Sequence, residues 1–354
     1  MGEDSSRLSI SFLQADAAKT QRRFPGLVIA YVMALVCPCL PAFADNATGP
    51  SGFVIEGKPF STKRILVFPK DYSLGELIIG ADPSTPEQDS LSGAAKGTVV
   101  VPAGKFVTFI PAASFYKDPS IINTIPPYGI DSIGVFFSSM ADAEDDISDR
   151  TLSLIGHLKG LVKLRLDRCD ATDKGVAFAR ELPDLQMISG FQTSFEGKCF
   201  KALAGHKKLR SISLPTSGMK DENVQYLAAL PRLQFLTLSR CHLSDAGIQN
   251  LSGCVELRYL DLSDNPYITD RSIKPLLALK NLRVLILSNT SMTNLGAKQF
   301  KQLKLERLKL PQRVNQPAEL KAIQEAMPGI RVNAGDGGGK KVDSETNKLF
   351  APLH

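Results

Sequence analysis

Histidine and cysteine are the residues of this chain best suited to nucleophilic or metal chemistry, and both are scarce. The 354 residues include four histidines, six cysteines and no tryptophan. The cysteines after residue 44 form no CxxC pair and no other metal-ligand spacing. In the adjacent pair Cys241 and His242, consecutive side chains point to different sides of the chain, so the imidazole cannot activate the thiol. The sequence therefore predicts no catalytic residue, no metal site and no cofactor.

Acidic residues that follow Ser or Thr are the remaining candidates for chemistry. They recur as Thr172-Asp173, Ser244-Asp245 and Thr269-Asp270, with Asp221 at the equivalent place. A calcium site needs several oxygen ligands for each ion, and the flanking residues do not offer them. Asp and Asn at the start of a helix are favourable N-caps. We therefore expect these residues to cap helices, and we expect the acidic run within 142–146 to be a solvated loop.

The overall charge gives no sign of a nucleic-acid partner. The chain has 42 basic and 36 acidic residues, a formal net charge of +6. No basic cluster with interleaved aromatic residues accompanies this mild excess. The hydrophobic fraction of 43% is that of a folded protein rather than a disordered one.

Residues 1–44 have the order of a secretory signal peptide. Arg22 and Arg23 precede an uncharged run over 24–44, which ends in Pro41-Ala42-Phe43-Ala44. A basic region, a short apolar stretch and small residues at the −3 and −1 positions are typical of such signals. We expect cleavage before Asp45 and a secreted or periplasmic mature protein. The alternative is an uncleaved membrane anchor formed by residues 24–44.

A pattern of apolar residues spaced L-x-x-L-x-L recurs through the middle of the chain. Its regular copies begin 24, 24, 24, 24, 25 and 23 residues apart, and an irregular copy begins earlier at Ile130. We number the positions of each repeat from its first apolar residue. Every regular copy except the last, which has Arg313, carries a short polar or thiol side chain at position nine, and apolar residues at helical spacing follow. The pattern predicts a strand, a turn and a capped helix in each unit, stacked as a solenoid. The regular copies begin at Leu161, Leu185, Leu209, Leu233, Leu257, Leu282 and Leu305.

The repeat register also accounts for the cysteines. Cys169 and Cys241 both stand at position nine, three repeats apart. Strands stack at about 4.8 Å, which separates these thiols by about 14 Å and excludes a disulfide. Cys254 and His206 occupy a helix position that other repeats fill with leucine. We therefore expect buried free thiols and a packed or half-buried histidine.

The segment Cys241-His-Leu-Ser-Asp-Ala-Gly-Ile248 is the most regular copy of the unit. Together with the leucines over 130–332, it resembles the cysteine-containing subtype of the leucine-rich repeat family. The resemblance implies an α/β fold, a solenoid with parallel β-strands on its concave side and helices on its convex side. The whole arrangement is similar to secreted bacterial leucine-rich repeat proteins. The same subtype occurs in F-box proteins that recruit substrates for ubiquitination.

The sequence outside the repeats divides into three further segments. Residues 45–60 are rich in Gly, Pro, Ser and Asn, which predicts a flexible lead-in. Residues 61–129 predict a small β-rich unit. Because the first repeat of a solenoid exposes an apolar end, we expect this unit to cap it, with an independent ligand-binding domain as the alternative. Residues 333–354 predict a disordered tail. The apolar runs of the β-rich unit are Arg64–Phe68, Glu76–Ile79, Thr98–Val101 and Lys105–Ile110.

Aromatic residues in the strands indicate where a partner would bind. Strand side chains alternate, so positions three, five and seven are expected to face the concave surface. Phe235 and Tyr259 are adjacent in the stack and have no packing role there, so we expect them to be exposed and to anchor an interface. The alternative is that the N-terminal unit or the tail folds over them. The predicted partner-binding residues are Phe235, Tyr259, Val284, Ile286, Met187, Phe191, Arg165, Asp261 and Lys309.

These features favour a non-enzymatic, exported leucine-rich repeat protein that binds another protein through its concave face. One alternative is a carbohydrate or cell-wall binding module that uses the same aromatic residues, or the β-rich unit, to hold sugars. A substrate receptor like the F-box proteins is less favoured, because no helical F-box-like module is evident and the export signal argues against that role. A membrane contact is expected only if the signal segment is not cleaved.

Overall fold

A computed structural model describes residues 55–57, 62–80, 90–136, 146–312 and 316–334. All of them belong to one compact unit, Thr48–His354. The predicted signal peptide, most of the lead-in, residues 142–145 of the acidic run and the tail from residue 335 lie outside the described residues.

The strands of the repeats are short because only positions three to five of each unit are extended before the chain turns. Over the described residues there are fourteen strands. They are β1 Arg64–Val67, β2 Gly75–Gly80, β3 Leu91–Ala94, β4 Thr98–Val101, β5 Phe106–Pro111, β6 Ser132–Gly134, β7 Lys163–Arg165, β8 Met187–Ser189, β9 Ser211–Ser213, β10 Phe235–Thr237, β11 Tyr259–Asp261, β12 Val284–Ile286, β13 Arg307–Leu310 and β14 Arg331–Ala334.

The repeat strands form one parallel sheet. Strands β5 to β14 pair in chain order, and β2 and β3 extend the sheet with antiparallel pairing at the β5 end. Neighbouring repeats pair position by position, so that Leu236 stands between Ile212 and Leu260. All three of these side chains are fully buried. A slip of one residue would turn this buried row to the other face, and burial therefore fixes the register. The predicted α/β solenoid is confirmed.

Short helical segments follow each strand and cover the other face of the sheet. The repeat length leaves room for one or two turns of α-helix, which tighten into 3₁₀ segments. We term the face of the sheet away from these helices the concave face. The α-helices are Ala113–Tyr116, Ile147–Leu154, Asp173–Val176, Cys199–Ala202, Asp245–Gln249, Ile273–Leu277, Asn294–Ala297 and Pro317–Ala326. The 3₁₀ segments are Pro119–Thr124, Ile155–His157, Ala177–Glu181, Asp221–Ala229, Asn250–Gly253, Asp270–Ser272 and Lys298–Gln302.

The acidic residues at the helix starts do not cap their own helices, which corrects the sequence prediction. Where a hydroxyl residue precedes the acidic one, it is the cap, and Ser244 for example accepts from the Ala246 N–H. Lys220, which precedes Asp221, makes no side-chain cap. The carboxylates instead reach the next repeat. Asp221 accepts from the backbone N–H of Ser244 at 3.0 Å and from its hydroxyl. Asp245 repeats this arrangement on Thr269, with distances of 2.8 and 2.6 Å. The Asp residues thus form a ladder that joins each helix start to the one that follows.

A glycine two residues after the Asp makes room for this ladder. A Cβ atom added at Gly247 would lie 2.3 Å from Oδ1 of Asp221, and one at Gly296 would lie 2.3 Å from Oδ1 of Asp270. The repeat that begins at Leu257 carries Ser272 in place of the glycine, and the Ser272 hydroxyl donates to Asp245. The recurring glycine is therefore required by the carboxylate of the preceding repeat.

The ladder predicts an acid-sensitive contribution to stability at Asp245. Burial raises the pKa of this carboxyl, but the hydrogen bonds from Ser272 and Thr269 outweigh burial and hold the pKa below its ordinary value. The stabilisation is therefore complete above the unfolded-state pKa of about 3.9 and is lost as the pH falls through the lower folded-state pKa. We expect Asp245→Asn to reduce the free energy of unfolding by about 1 kcal/mol at pH 7, after allowance for solvent screening of this half-exposed group.

Urea denaturation followed by circular dichroism at several pH values measures this difference. The gap between wild type and Asp245→Asn should close as the pH falls below about 4. Glu325→Gln is the control, because Glu325 is 67% exposed and pairs only along its own helix with Lys321. A gap that stays constant with pH would show that the carboxylate charge at Asp245 has no part in stability.

Position nine fills the space inside the turn. Asn265 is fully buried there, and its Oδ1 accepts from the backbone N–H groups of Cys241 and Leu243 at 3.1 and 3.0 Å. Its amide nitrogen donates to the carbonyls of Leu238 and Leu262 at 2.8 and 2.9 Å. The prediction that position nine satisfies loop backbone groups is confirmed at this residue.

The β-rich segment before the repeats shares their core. Strand β5 pairs in parallel with β6 of the first repeat, and β1 and β4 form a separate antiparallel ribbon. The ring of Phe109 packs edge-on against Phe115, with centroids 5.7 Å apart, and both join the same buried cluster as the leucines of the repeats. Strand β3 was not predicted, because Leu91-Ser-Gly-Ala94 carries a single large apolar residue, and that residue is exposed.

A helix and a strand close the other end of the stack. The helix Pro317–Ala326 buries Ile323 against the last repeat, and β14 pairs in parallel with β13. The sequence prediction placed the start of the tail at Asn333, yet β14 continues through Ala334. The backbone pairing of β14 with β13 supplies the order that the polar sequence of this segment does not indicate.

Candidate protein-binding face

The position-three side chains of the concave face form an apolar cluster of their own. Phe235 and Tyr259 stack with ring centroids 6.4 Å apart and an interplanar angle of 30°. Their neighbours in the cluster come from β8 and β12, from the start of β5, and from the segment before β1. We term this set the concave cluster, and it comprises Ile55, Phe106, Met187, Phe235, Tyr259 and Val284.

The expected exposure of the position-three residues is wrong. Phe235 is 4% exposed, Tyr259 8%, Met187 2% and Val284 1%. Ile55 of the lead-in, itself 9% exposed, packs into the cluster. This agrees with the alternative in which N-terminal residues fold over the aromatic pair. Burial also raises the pKa of Tyr259 well above its ordinary value.

The burial of both rings bears on the carbohydrate alternative as well. A sugar ring stacks on an aromatic face only where that face is open. Because Phe235 and Tyr259 are covered, the concave aromatic pair does not offer such a platform. The form of the alternative that uses the β-rich unit does not depend on these two residues.

Residues 55–57, which we term the strap, lie along the edge where the repeat strands begin. The strap is held by side chains at position two and by Arg232, the residue before Leu233. The Gln186 side chain forms hydrogen bonds with both main-chain polar groups of Glu56. The Glu56 N–H donates to Gln186 Oε1 at 2.8 Å, and the Gln186 amide nitrogen donates to the Glu56 carbonyl at 2.7 Å. The Glu56 carboxylate pairs with Arg210 at 2.8 Å and with Arg232 at 3.2 Å.

The predicted site residues at positions five and seven are half-buried and remain accessible. Arg165 pairs with Asp167 at 3.2 Å and lies over the ring of Phe136, 5.1 Å from its centroid. The guanidinium of Arg168 lies 5.6 Å from the centroid of Phe191. Charged and aromatic side chains thus meet on the first two regular repeats.

Gly190 leaves the register of this region unchanged. Strand β8 pairs in parallel with β9, with Ile188 opposite Ile212, as in the other repeats. A Cβ atom at Gly190 would lie 2.8 Å from Cγ2 of Thr193 and 2.9 Å from the Leu166 carbonyl. The glycine therefore replaces the third apolar residue of the pattern because there is no space for a side chain.

Asp261, Ile286 and Lys309 stand at position five of three consecutive strands. Asp261 accepts from both the backbone N–H and the hydroxyl of Ser263, at 2.9 and 2.6 Å. Burial raises the pKa of Asp261, and the Ser263 hydrogen bonds and the charge of Lys309 oppose that rise. This end of the face therefore presents an oriented carboxylate, an aliphatic side chain and a cation.

The thiols and the histidine considered for chemistry are held in structural roles. All four cysteines after residue 44 are buried and free, as predicted. Burial raises the pKa of Cys254 to about 12, which keeps this thiol protonated at neutral pH. His206 is half-buried, donates from Nε2 to the Leu182 carbonyl at 2.9 Å and accepts at Nδ1 from the Leu209 N–H at 3.1 Å. Within the described ranges, no three His, Cys, Asp or Glu side chains are grouped to hold a metal ion.

Sequence reasoning missed the residues that hold the strap. Gln186 and Arg210 both occupy position two of neighbouring repeats, where the register assigns neither a core nor a concave role. This recurrence of polar residues at one position was visible in the sequence. Glu56 carried no such signal, because nothing periodic links it to the repeats.

The repeat geometry and a family model together define the class of protein. A model described as Leucine Rich repeat matches residues 254–277. This match covers one unit of the stack, from the end of one helix through β11 to the next helix. The match supports the leucine-rich repeat family, and the stack of repeats has the corresponding solenoid fold.

Solved structures with similar folds come from several sources. An internalin from Listeria monocytogenes (inlF) is 17% identical, with a TM-score of 0.44, over 60% of this chain and 62% of its own length. Human 5T4, the trophoblast glycoprotein, is 17% identical with a TM-score of 0.40, over 65% of this chain and 76% of its own. TLR13 in a complex with ssRNA13 is 16% identical with a TM-score of 0.39, over 60% of this chain and 34% of its own. Comparison with curated proteins finds no match.

Proposed function

We propose that this chain is a non-enzymatic protein-interaction scaffold that binds a protein partner through its concave face. The partner contacts are the accessible residues at positions five and seven. Arg165 and Phe191 provide them at one end, and Asp261, Ile286 and Lys309 at the other. The covered residues Phe235, Tyr259, Met187 and Val284 form the floor beneath.

The concave cluster is the observation that supports this proposal. Its side chains pack separately from the core of the solenoid, which is complete without them. An apolar row on the outer face of a sheet gains stability only when something covers it. In this chain the row accepts an isoleucine from outside the repeats. A face that holds one short segment by apolar, polar and ionic contacts has the properties of a protein-binding surface.

We propose further that the protein acts outside the cytoplasm, as the order of residues 1–44 indicates. The family resemblance to secreted bacterial leucine-rich repeat proteins supports the same location. No helix among the described residues has the length and apolar character needed to cross a membrane.

Site-specific crosslinking tests the proposed face. A photo-crosslinking residue is placed in the full chain at Thr237, half-buried at position five of β10, and in a second chain at Leu295. Leu295 is 77% exposed on the helical side and serves as the control. We expect a discrete adduct with a protein in a native extract from Thr237 and none from Leu295.

Charge reversal at the two ends of the face completes this test. In the Thr237 chain, Arg165→Glu with Lys309→Glu should lower the adduct yield at least about fivefold, because both cations orient the partner. Circular dichroism confirms that the variants fold alike. Equal adducts from Thr237 and Leu295, or a yield insensitive to charge reversal, would contradict the concave face as the binding surface.

A further inference from the structure

The strap is bound in the manner of a peptide ligand. Gln186 pairs with the N–H and the carbonyl of the same residue, Glu56, as a neighbouring β-strand would. Main-chain pairing of this kind holds an extended peptide without regard to its side chains. Gln186 is itself buried, and its Oε1 also accepts from Arg210 Nη2 at 3.0 Å. The Gln186 amide, which binds the peptide backbone, is therefore held in a fixed position.

The rim beside Gln186 selects for an acidic side chain. Arg210 is only 7% exposed in its side chain and donates to Glu56 Oε1 at 2.8 Å. Burial lowers the pKa of Arg210, the Glu56 carboxylate opposes that effect, and the charges of Arg232 and Arg258 add to it. Two guanidinium groups thus pair with one carboxylate, and the rim keeps an excess of positive charge when Glu56 is bound.

The concave cluster selects for an apolar residue directly before the acidic one. Ile55 is buried with Met187, Phe235 and Tyr259, while Glu56 remains half-exposed at the rim. The two consecutive side chains thus have different surroundings, since Ile55 enters the cluster while Glu56 faces the arginines. The pair Ile55-Glu56 meets both requirements.

We infer that the Gln186–Arg210–Arg232 rim and the adjoining concave cluster are a recognition site for a peptide segment in which an apolar residue directly precedes a glutamate, and that Ile55–Gly57 occupy this site in cis. This inference rests on the proposed function, since it names the chemistry of the partner segment that the concave face receives. A partner segment of this type competes with the strap for the same contacts. The strap therefore sets the apparent affinity of the face.

A peptide copied from the chain is the probe for this site. A fluorescent peptide with the sequence of residues 51–60, Ser-Gly-Phe-Val-Ile-Glu-Gly-Lys-Pro-Phe, is titrated with the full chain and followed by fluorescence anisotropy. The strap-release variant is Ile55→Ser/Glu56→Lys, which removes the apolar contact and repels the arginines. We expect the probe to bind this variant at least about tenfold more tightly than wild type, because cis competition is removed. The matched control is Ile65→Ser/Glu325→Lys, the same changes at positions that are 55% and 67% exposed.

Reversing the charge of the probe, and then the charge of Arg210, distinguishes specific recognition from nonspecific binding. A second probe carries Lys in place of the Glu, and it should bind the strap-release variant at least about tenfold more weakly than the first probe. Adding Arg210→Glu to the strap-release variant should reverse this preference, so that the Lys probe binds better than the Glu probe. Reversal of preference is a gain of binding, which a misfolded variant cannot produce.

Each result of the probe titrations either supports the inference or contradicts it. Tighter binding by the strap-release variant together with the reversed preference supports the inference. A probe that does not bind the strap-release variant, or that binds wild type and variant equally, overturns it. If the probe result overturns the inference but Thr237 still crosslinks to a protein, the proposed function stands and only the recognition of an Ile-Glu segment is rejected. Probe binding without any crosslinked protein would reject the larger proposal and retain the peptide site.

Discussion

Replacing Asn265 with leucine is expected to lower the free energy of unfolding by about 4 kcal/mol. The Asn265 amide is fully buried and serves two backbone N–H groups and two carbonyls of the adjoining turns. It also donates to the Ser263 carbonyl at 3.2 Å. Leucine has a similar branched shape but is larger and offers no polar atom, so these backbone groups would stay buried without partners. Each such group costs about 1–3 kcal/mol, and partial relaxation of the turn keeps the total below the full sum.

Thr290→Val is the graded control for this prediction. Thr290 holds position nine of the next repeat, is 5% exposed and donates one hydrogen bond, to the Leu287 carbonyl at 2.8 Å. Its loss should cost about 1 kcal/mol. Because the chain has no tryptophan, far-UV circular dichroism in urea is the suitable probe of unfolding. If Asn265→Leu costs no more than Thr290→Val, Asn265 does not connect the two turns energetically.

Removing the guanidinium of Arg64 is expected to cost about 3–4 kcal/mol. Arg64 on β1 donates from Nη1 to Asp131 at 3.0 Å and to the Gly129 carbonyl at 3.3 Å. Asp131 also accepts from the Val107 N–H at 2.7 Å, so one buried pair joins β1, β5 and the first repeat. Arg64→Met leaves the carboxylate buried without its counter-charge. The N-terminal segment should then separate from the stack at a lower urea concentration.

The pH dependence and a double variant identify the cause of this loss. Burial already raises the pKa of Asp131, and the Arg64 charge limits that rise. Without Arg64 the folded-state pKa rises further, so the destabilisation should be largest at neutral pH and should shrink as acid protonates the carboxyl. Arg64→Met/Asp131→Leu should recover most of the loss, because no unpaired charge remains.

Arg240→Met provides the matched control on the surface. Arg240 is 63% exposed in its side chain and pairs with Asp264 at 3.2 Å. An exposed pair of this kind contributes little, and the substitution should change stability by about 0.5 kcal/mol or less. Similar losses for Arg64→Met and Arg240→Met would mean that burial of the Arg64–Asp131 pair has no energetic consequence.

The periodic sequence was sufficient to predict the solenoid. A leucine at position four meets the same residue one repeat away, as Leu236 meets Leu260, so one local rule is repeated at every strand. The free buried thiols and the packed His206 followed from the same register. The Asp–Gly spacing was also visible, but its meaning was misread. The geometry that places Asp221 against Ser244 and Gly247 exists only between two stacked repeats.

The state of the candidate site depended on contacts that no repeat encodes. The alternation of strand side chains put Phe235 and Tyr259 on the concave face as predicted, yet it carried no information about what covers them. The covering contact joins Glu56 to Arg210 across 154 residues of chain. A single glutamate with no counterpart elsewhere in the sequence gives no periodic signal.

The sequence by itself thus determined the repeat stack and which residues face which side. Nearest-neighbour contacts between similar units follow from local spacing, so they can be read from one chain. Only the tertiary structure decided that β5 continues the sheet, that Arg64 and Asp131 meet, and that the strap lies on the concave cluster. Those contacts join unlike segments, and they form because burial and charge pairing favour them once the chain is folded.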